Sequence, residues 1–205
     1  VLFSTAGIHP HAAADFSTES IAQLLALSRQ PQVVAIGETG LDFYRDFSPR
    51  PQQEEAFAQQ LQLAAHCQLP VFLHQRDAHD RFLALLKEQR NALVRGVVHC
   101  FTGTREELFA YLDLDMYIGI TGWVCDERRG LPVQELLKDI PRNRMLLETD
   151  APYLLPRNMQ PRPKHRRNVP ANLHWVLQKI AACLEQEPAE IAAITTSNAQ
   201  VFFAL

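Results

Sequence analysis

The sequence predicts an α/β fold built from repeated β-α units, and three observations predict it. Short, nearly continuous apolar runs alternate with helix-periodic segments along the chain, as expected of strands buried on both faces of a parallel sheet. Four of those runs stop abruptly at a polar side chain: Glu38, His74, His99 and Asp150. The connections between runs are short, which favours parallel strands with right-handed crossovers, either a doubly wound sheet or a (β/α) barrel.

The elements follow in order. Residues 1–7 form a strand, and Ile8-His9-Pro10-His11 is a strand-end loop made rigid at Pro10. A helix is predicted over 15–30, with Ser17 or Thr18 as its cap and Ile21, Leu24, Leu25 and Leu27 on its buried face. A strand over 33–37 delivers Glu38, and Thr39-Gly40-Leu41-Asp42 is read as the loop beyond it. Helix 51–68 follows, then a strand opened by Pro70 and ending at His74, helix 80–89, strand 93–98, helix 104–112, strand 116–120 and a short helix over 133–139. The strand starting at Met145 is expected to end at Asp150, because Pro152 cannot extend the ladder. A Pro-rich basic loop leads to helices over 171–185 and 188–197, and residues 199–203 pack the tail onto the domain. The reading counts about six strands against the roughly eight of a closed barrel, and with Val1 already opening a strand it describes one domain over 1–205, N-terminally incomplete.

At 205 residues and 47% hydrophobic content, the chain can bury a substantial core. A net charge of −3 carries no global nucleic-acid signature, so any such binding must come from a local basic patch. Cys67, Cys100, Cys125 and Cys183 are widely spaced without a CxxC pair, which fits a reducing cytoplasm. No apolar run approaches a membrane span, and no obligate protein partner is evident.

Two carboxylates and two imidazoles at successive strand ends suggest ligands converging on a divalent metal: Glu38, His74, His99 and Asp150. Imidazole with carboxylate suits Zn²⁺ or Mn²⁺, and carboxylates also suit Mg²⁺. Such a metal can generate hydroxide from water and neutralise phosphoryl charge, with Asp150 either a ligand or a general base. His9, fixed beside Pro10, is a further catalytic candidate, whereas His11, His66 and His79 read as surface or structural residues. Gly37 and Gly40 would hold the Glu38 loop close to substrate. Arg76 and the stiff cationic run carrying Arg162, Lys164, Arg166 and Arg167 are suited to clamping phosphates. Trp123 either stacks on a base or sugar or is a buried aromatic. No cysteine reads as a nucleophile.

Six motifs carry a resemblance: Gly7-Ile8-His9-Pro10-His11, Gly37-Glu38-Thr39-Gly40-Leu41-Asp42, His74-Gln75-Arg76-Asp77-Ala78, His99-Cys100-Phe101-Thr102-Gly103, Gly119-Ile120-Thr121-Gly122 and 148–154. Together, in this order, they resemble the TatD family of metal-dependent deoxyribonucleases. The resemblance implies a TIM-type (β/α) barrel of the metal-dependent hydrolase superfamily, here without its first two β-α units. It implies hydrolysis of phosphodiesters, with 3′-to-5′ removal of nucleotides from single-stranded DNA and also RNA, in DNA repair or degradation. Mg²⁺ or Mn²⁺ is the implied metal and Zn²⁺ an alternative, with metal-site roles for Glu38, His74, His99 and Asp150 and with His9 near the scissile phosphate. Two departures accompany it: the family's first-strand His-x-His pair has no counterpart here, and Arg167-Asn168-Val169-Pro170 stands where the family commonly has Asn-Glu-Pro. Two rival readings are a superfamily hydrolase of a small amide, ester or phosphotriester, and a truncated, inactive nucleic-acid-binding scaffold.

Overall fold

The computed structural model describes residues 2–161 and 163–205; Val1 and Arg162, which carry two of the sequence expectations, lie outside the described residues. The architecture is α/β and of the TIM type. Six strands follow one another in the sheet as they do in the chain: β1 (Ser4–Ala6), β2 (Val33–Asp42), β3 (Val71–Arg76), β4 (Gly96–Val98), β5 (Tyr117–Ile120) and β6 (Met145–Leu147). Helices alternate with them: α1 (Thr18–Ser28), α2 (Arg50–Cys67), α3 (His79–Gln89), α4 (Arg105–Leu112), α5 (Leu131–Leu136), α6 (Leu173–Leu184) and α7 (Pro188–Phe203). The chain divides into two compact units, one comprising residues 1–99, 113–116 and 202–204 and the other residues 100–112, 117–201 and 205.

In the first unit β1 to β4 pair in parallel, with Ala6 opposite Ile36, Ile36 opposite Val71 and Leu73 opposite Val98. Both faces of these strands are covered, so Ile36, Leu41, Leu73 and Val97 are fully buried. Phe57 of α2 and Phe82 of α3 stack with centroids 5.1 Å apart and planes 8° apart, joining the two helices over the sheet. Ser17 caps α1 through a reciprocal bond with Ser20, which starts the helix three residues later than the spacing alone predicts. Helix α2 carries two buried glutamines at 53 and 60, and each holds a strand-end segment. The Gln60 amide accepts from Ile8 N at 2.7 Å and donates to Ile8 O and Thr39 Oγ1, fixing the His9 turn against β2. Gln53 accepts from Asp42 N at 2.9 Å and donates to Ser48 O at 2.8 Å.

The Thr39-to-Asp42 stretch, expected as a loop, is strand. The ladder of β2 on β3 continues through Gly40 opposite His74 to Asp42 opposite Arg76. Gly37 and Gly40 have φ of 142° and 148°, and a Cβ on either would collide with a carbonyl of β3. They allow the close approach of the two strands.

In the second unit β5 and β6 pair in parallel, Ile118 opposite Met145 and Ile120 opposite Leu147. Helix α7 runs unbroken from Pro188 to Phe203, where a helix and a separate tail were expected. Of its two buried polar residues, Thr195 and Asn198, Asn198 donates to Arg142 O at 2.7 Å and Met145 O at 2.8 Å and so pins the entry to β6. Strand β6 stops at Leu147, not at Asp150. Glu148 N still bonds to Ile120 O, after which the chain leaves the ladder and Asp150 takes a left-handed φ of 51°.

Candidate metal centre

In the first unit, the C-terminal halves of β2 and β3, the end of β4 and the turn after β1 bring four of the predicted residues together. One oxygen of Glu38, Oε1, lies 2.7 Å from His74 Nδ1, 3.4 Å from His9 Nε2 and 3.8 Å from His99 Nε2. His9 Nε2 and His74 Nδ1 are themselves 3.3 Å apart. His99 follows β4 directly, its N–H bonding to Leu73 O and its ring 5.0 Å from that of Phe72.

Two residues that the sequence reading left out complete the network. Asp42, only 1% exposed, directs Oδ2 at His11 Nε2 (2.7 Å) and at His74 Nε2 (3.3 Å). His11, expected as a surface or structural residue, is therefore part of the cluster, with its ring 4.2 Å from that of His9. The signal for Asp42 was present: in an extended strand, positions 38, 40 and 42 share a face, so an acid four residues after Glu38 points the same way. Reading Gly40 as a loop residue hid that periodicity.

The hydrogen bonds set the protons. The His11 backbone N–H donates to His9 Nδ1 at 3.1 Å, so a neutral His9 ring carries its hydrogen on Nε2, facing Glu38. Asp42 stands at Nε2 of His74, holding a proton there and turning Nδ1 toward Glu38 and His9. A carboxylate behind a histidine is the usual way to orient an imidazole and raise its basicity as a ligand.

Burial would raise the Glu38 pKa, but hydrogen bonds from His74 and His9 and the charges of His99 and His74 outweigh it, holding the carboxyl well below the usual range. Asp42 behaves alike: desolvation is overcome by His74, the Arg45 backbone N–H and His11. For His74, burial favours the neutral ring, but Asp42 and Glu38 on its two nitrogens raise its pKa. In the metal-free cluster the His74 ring is therefore held between two carboxylates, one at each nitrogen.

That arrangement fits a divalent ion. Ligand atoms of His9, Glu38 and His74 all lie within 4.8 Å of one another. With metal–ligand bonds near 2.1 Å, neighbouring donors stand about 3.0 to 3.4 Å apart; the His9 spacings to Glu38 (3.4 Å) and to His74 (3.3 Å) fall in that range, and Glu38 and His74 at 2.7 Å are in direct hydrogen-bond contact. A mixed nitrogen and oxygen set suits borderline divalent ions. His9, with its lone pair at Nδ1 already used, is the least suited of these side chains to be a ligand and the best suited to donate a hydrogen bond from Nε2.

The remaining predicted residues fall elsewhere. Arg76, exposed at the end of β3, lays its guanidinium over the Tyr44 ring, 3.9 Å from the centroid. Asp150, Lys164, Arg166 and Arg167 belong to the second unit, and Lys164 and the two arginines are exposed there. Within that unit Lys164 and Arg166 line a cleft of about 550 Å³ together with Trp123 and Arg157. Asn168, 1% exposed and missed by the sequence reading, anchors both ends of the segment bearing Asp150 by donating to Thr149 O (2.8 Å) and Leu154 O (3.2 Å). The four cysteines are unbridged, and burial pushes the Cys125 thiol up to about 12, which removes it as a nucleophile at neutral pH.

A family model described as TatD related DNase matches residues 1–204. The chain is 53% identical over 203 residues to the 3′-5′ ssDNA/RNA exonuclease TatD of Citrobacter koseri, covering 99% of this chain and 78% of that protein. It is 51% identical over 203 residues to the protein of the same name from Escherichia coli strain K12, again over 99% and 78% of the two. Among solved structures, the TatD homologue YJJV of Escherichia coli K12 superposes with a TM-score of 0.89 at 30% identity, over 100% of this chain and 77% of that one. A TatD family hydrolase of Entamoeba histolytica gives 0.87 at 28% identity, over 98% and 74%.

Proposed function

The chain belongs to the TatD-related DNase family and is a nuclease, and from that premise we propose that it is a metal-dependent 3′-to-5′ exonuclease acting on single-stranded DNA and on RNA. The observation that carries the metal dependence is the convergence of three imidazoles on one oxygen of Glu38. Curated relatives named for this activity are 53% identical to the chain over nearly its whole length, which supports the polarity and the substrates.

In this reading Glu38, His74 and His99 hold the ion, with Asp150 assigned as a further ligand or as the base that accepts a proton from the attacking water. Bound there, Mg²⁺ or Mn²⁺ would lower the pKa of water and neutralise charge on the phosphate; Zn²⁺ suits the imidazoles equally. Asp42 keeps His74 in the tautomer that presents Nδ1. His9 donates its Nε2 hydrogen to a non-bridging phosphate oxygen, stabilising charge that grows in the transition state. Arg76, Lys164, Arg166, Arg167 and Arg162 draw the strand in through its phosphates. Residues 1–205 act as one hydrolase domain in this scheme, and the unbridged cysteines suit the reducing cytoplasm.

Incubation of end-labelled single-stranded DNA with the protein and Mg²⁺, Mn²⁺ or chelator, beside Glu38→Ala and Asp150→Ala, tests the reading. Metal-dependent loss of nucleotides from the 3′ end, absent in both variants, is the expected result. Wild-type protein that is folded and cuts nothing with any of these metals would overturn it.

A further inference from the structure

The loop after β2 exposes aromatic rings where packing would normally hide them. Tyr44 is 58% exposed and Phe47 65%, only three residues apart. Neither is loosely held. Asp42 Oδ1 accepts from the backbone N–H of Tyr44 (3.1 Å) and of Arg45 (2.8 Å), a tight Asx turn. Ser48 bonds to the His11 carbonyl and receives the Ala14 N–H, and Arg50 forks onto Asp46 with its Nη2 2.7 Å from Oδ2. The rings are displayed on a fixed backbone, so a ligand that meets them need not first order the loop.

Cations are interleaved with the rings. Arg76 covers Tyr44 at 3.9 Å, Arg45 stands 5.8 Å from the same centroid, and Arg50 lies 4.4 Å over Phe43. Phe47 meets the His11 ring edge to face at 4.8 Å, and His11 bonds to Asp42, which bonds to His74. Exposed aromatics with adjacent guanidinium groups are how proteins hold single-stranded nucleic acid without reading sequence, since every base offers a π face and every nucleotide a phosphate.

We propose that Tyr44 and Phe47, backed by Arg76, form a stacking shelf for the bases flanking the scissile phosphate, held to the histidine cluster by the two oxygens of Asp42. This rests on the nuclease reading above and adds the part of the substrate that the cluster does not touch. Stacking is indifferent to base identity, so the shelf grips any sequence but requires that a base be present and unpaired. A duplex, with its bases paired and stacked on each other, offers it only the outer face of its terminal pair.

The test compares two labelled oligonucleotides by fluorescence anisotropy in the presence of chelator, which prevents turnover: an intact strand and one whose three 3′-terminal nucleotides are abasic. Wild type, Tyr44→Ala, Phe47→Ala and Tyr44→Trp are measured, each with its melting temperature to establish folding. The expected result is that Tyr44→Ala weakens binding of the intact strand about tenfold and leaves the abasic strand unchanged. Phe47→Ala should act in the same direction and Tyr44→Trp should restore wild-type affinity. Equal weakening for both strands, or no weakening for either, would overturn the shelf while leaving the exonuclease intact. If the wild type neither binds the intact strand nor degrades it with metal, the nuclease reading and the shelf fall together.

Discussion

The histidine cluster and the cationic loop over 156–167 are assigned to one substrate yet are built on opposite principles. In the cluster each polar atom is held by another: Gln60 fixes the turn of His9, Asp42 fixes His11 and His74, and Glu38 gathers three rings. In the loop, Arg157 pairs with buried Asp126 and Asn158 donates to Trp175 O, but Lys164, Arg166 and Arg167 beyond them are exposed up to the buried Asn168 at its end. The difference follows from what each must recognise. A metal ion tolerates errors of a few tenths of an ångström at its ligands, so its site has to be preorganised. A phosphate backbone sliding past by one nucleotide per turnover is served by charges that need no fixed geometry.

Removing the anchor of the rigid region should have the largest effect. Glu38→Ala takes away the atom on which the rings converge, and metal-dependent degradation should fall by more than about 100-fold, with metal affinity by calorimetry falling in parallel. Asp42→Asn leaves the ion's ligands in place but disturbs the carboxylate behind His74, so metal affinity should drop about 10-fold to 100-fold in the same titration. The soft region should respond differently. Lys164→Ala combined with Arg166→Ala should leave metal affinity untouched and weaken binding equally across strand sequences. The slope of log affinity against log salt should shrink by about 1.4, the loss expected for two phosphates of a single strand.

The smallest effect is in pH dependence of the metal-free protein. The folded-state pKa of His74 is raised, so its contribution to stability is complete below its ordinary value of 6.5 and is lost as pH rises through the folded value. Glu38 and Asp42 are depressed, so theirs is present above 4.5 and 3.8 and is lost as pH falls through their folded values. The melting temperature in chelator should therefore be highest between about pH 4.5 and 6.5 and should decline above it. Glu38→Gln should flatten the alkaline decline; an unchanged profile in that variant would show that the cluster does not govern it.

Strand positions were legible because apolar runs ending in a polar residue leave few alternatives for a buried parallel strand. Glu38, His74 and His99 were found that way. Asp42 was not, because two glycines with left-handed φ imitate a turn although they are strand residues pressed against β3. Asp150 was assigned to a strand end that lies three residues earlier, since Glu148 makes the last ladder bond and nothing in an apolar count separates one acid from the next. Helix α7 was broken at Ser197 because Asn198 reads as polar, whereas its amide serves two carbonyls that only the folded chain brings near. The aromatic loop was passed over for the complementary reason: an exposed ring and a core ring look alike until burial is known.

Asp42 has a consequence for how this protein can change. Its Oδ2 must accept from imidazoles while its Oδ1 accepts from two backbone amides. Asparagine preserves only one of those acceptors and turns the other into a donor, so either the rings must reverse their tautomers or the Asx turn must open. Glutamate keeps the charge but moves it by a methylene in a site that is already closed to solvent. Adaptation of the loop to another polymer and adaptation of the cluster to another metal are therefore coupled through a single side chain. Any lineage that altered one would have to re-solve the other at the same step.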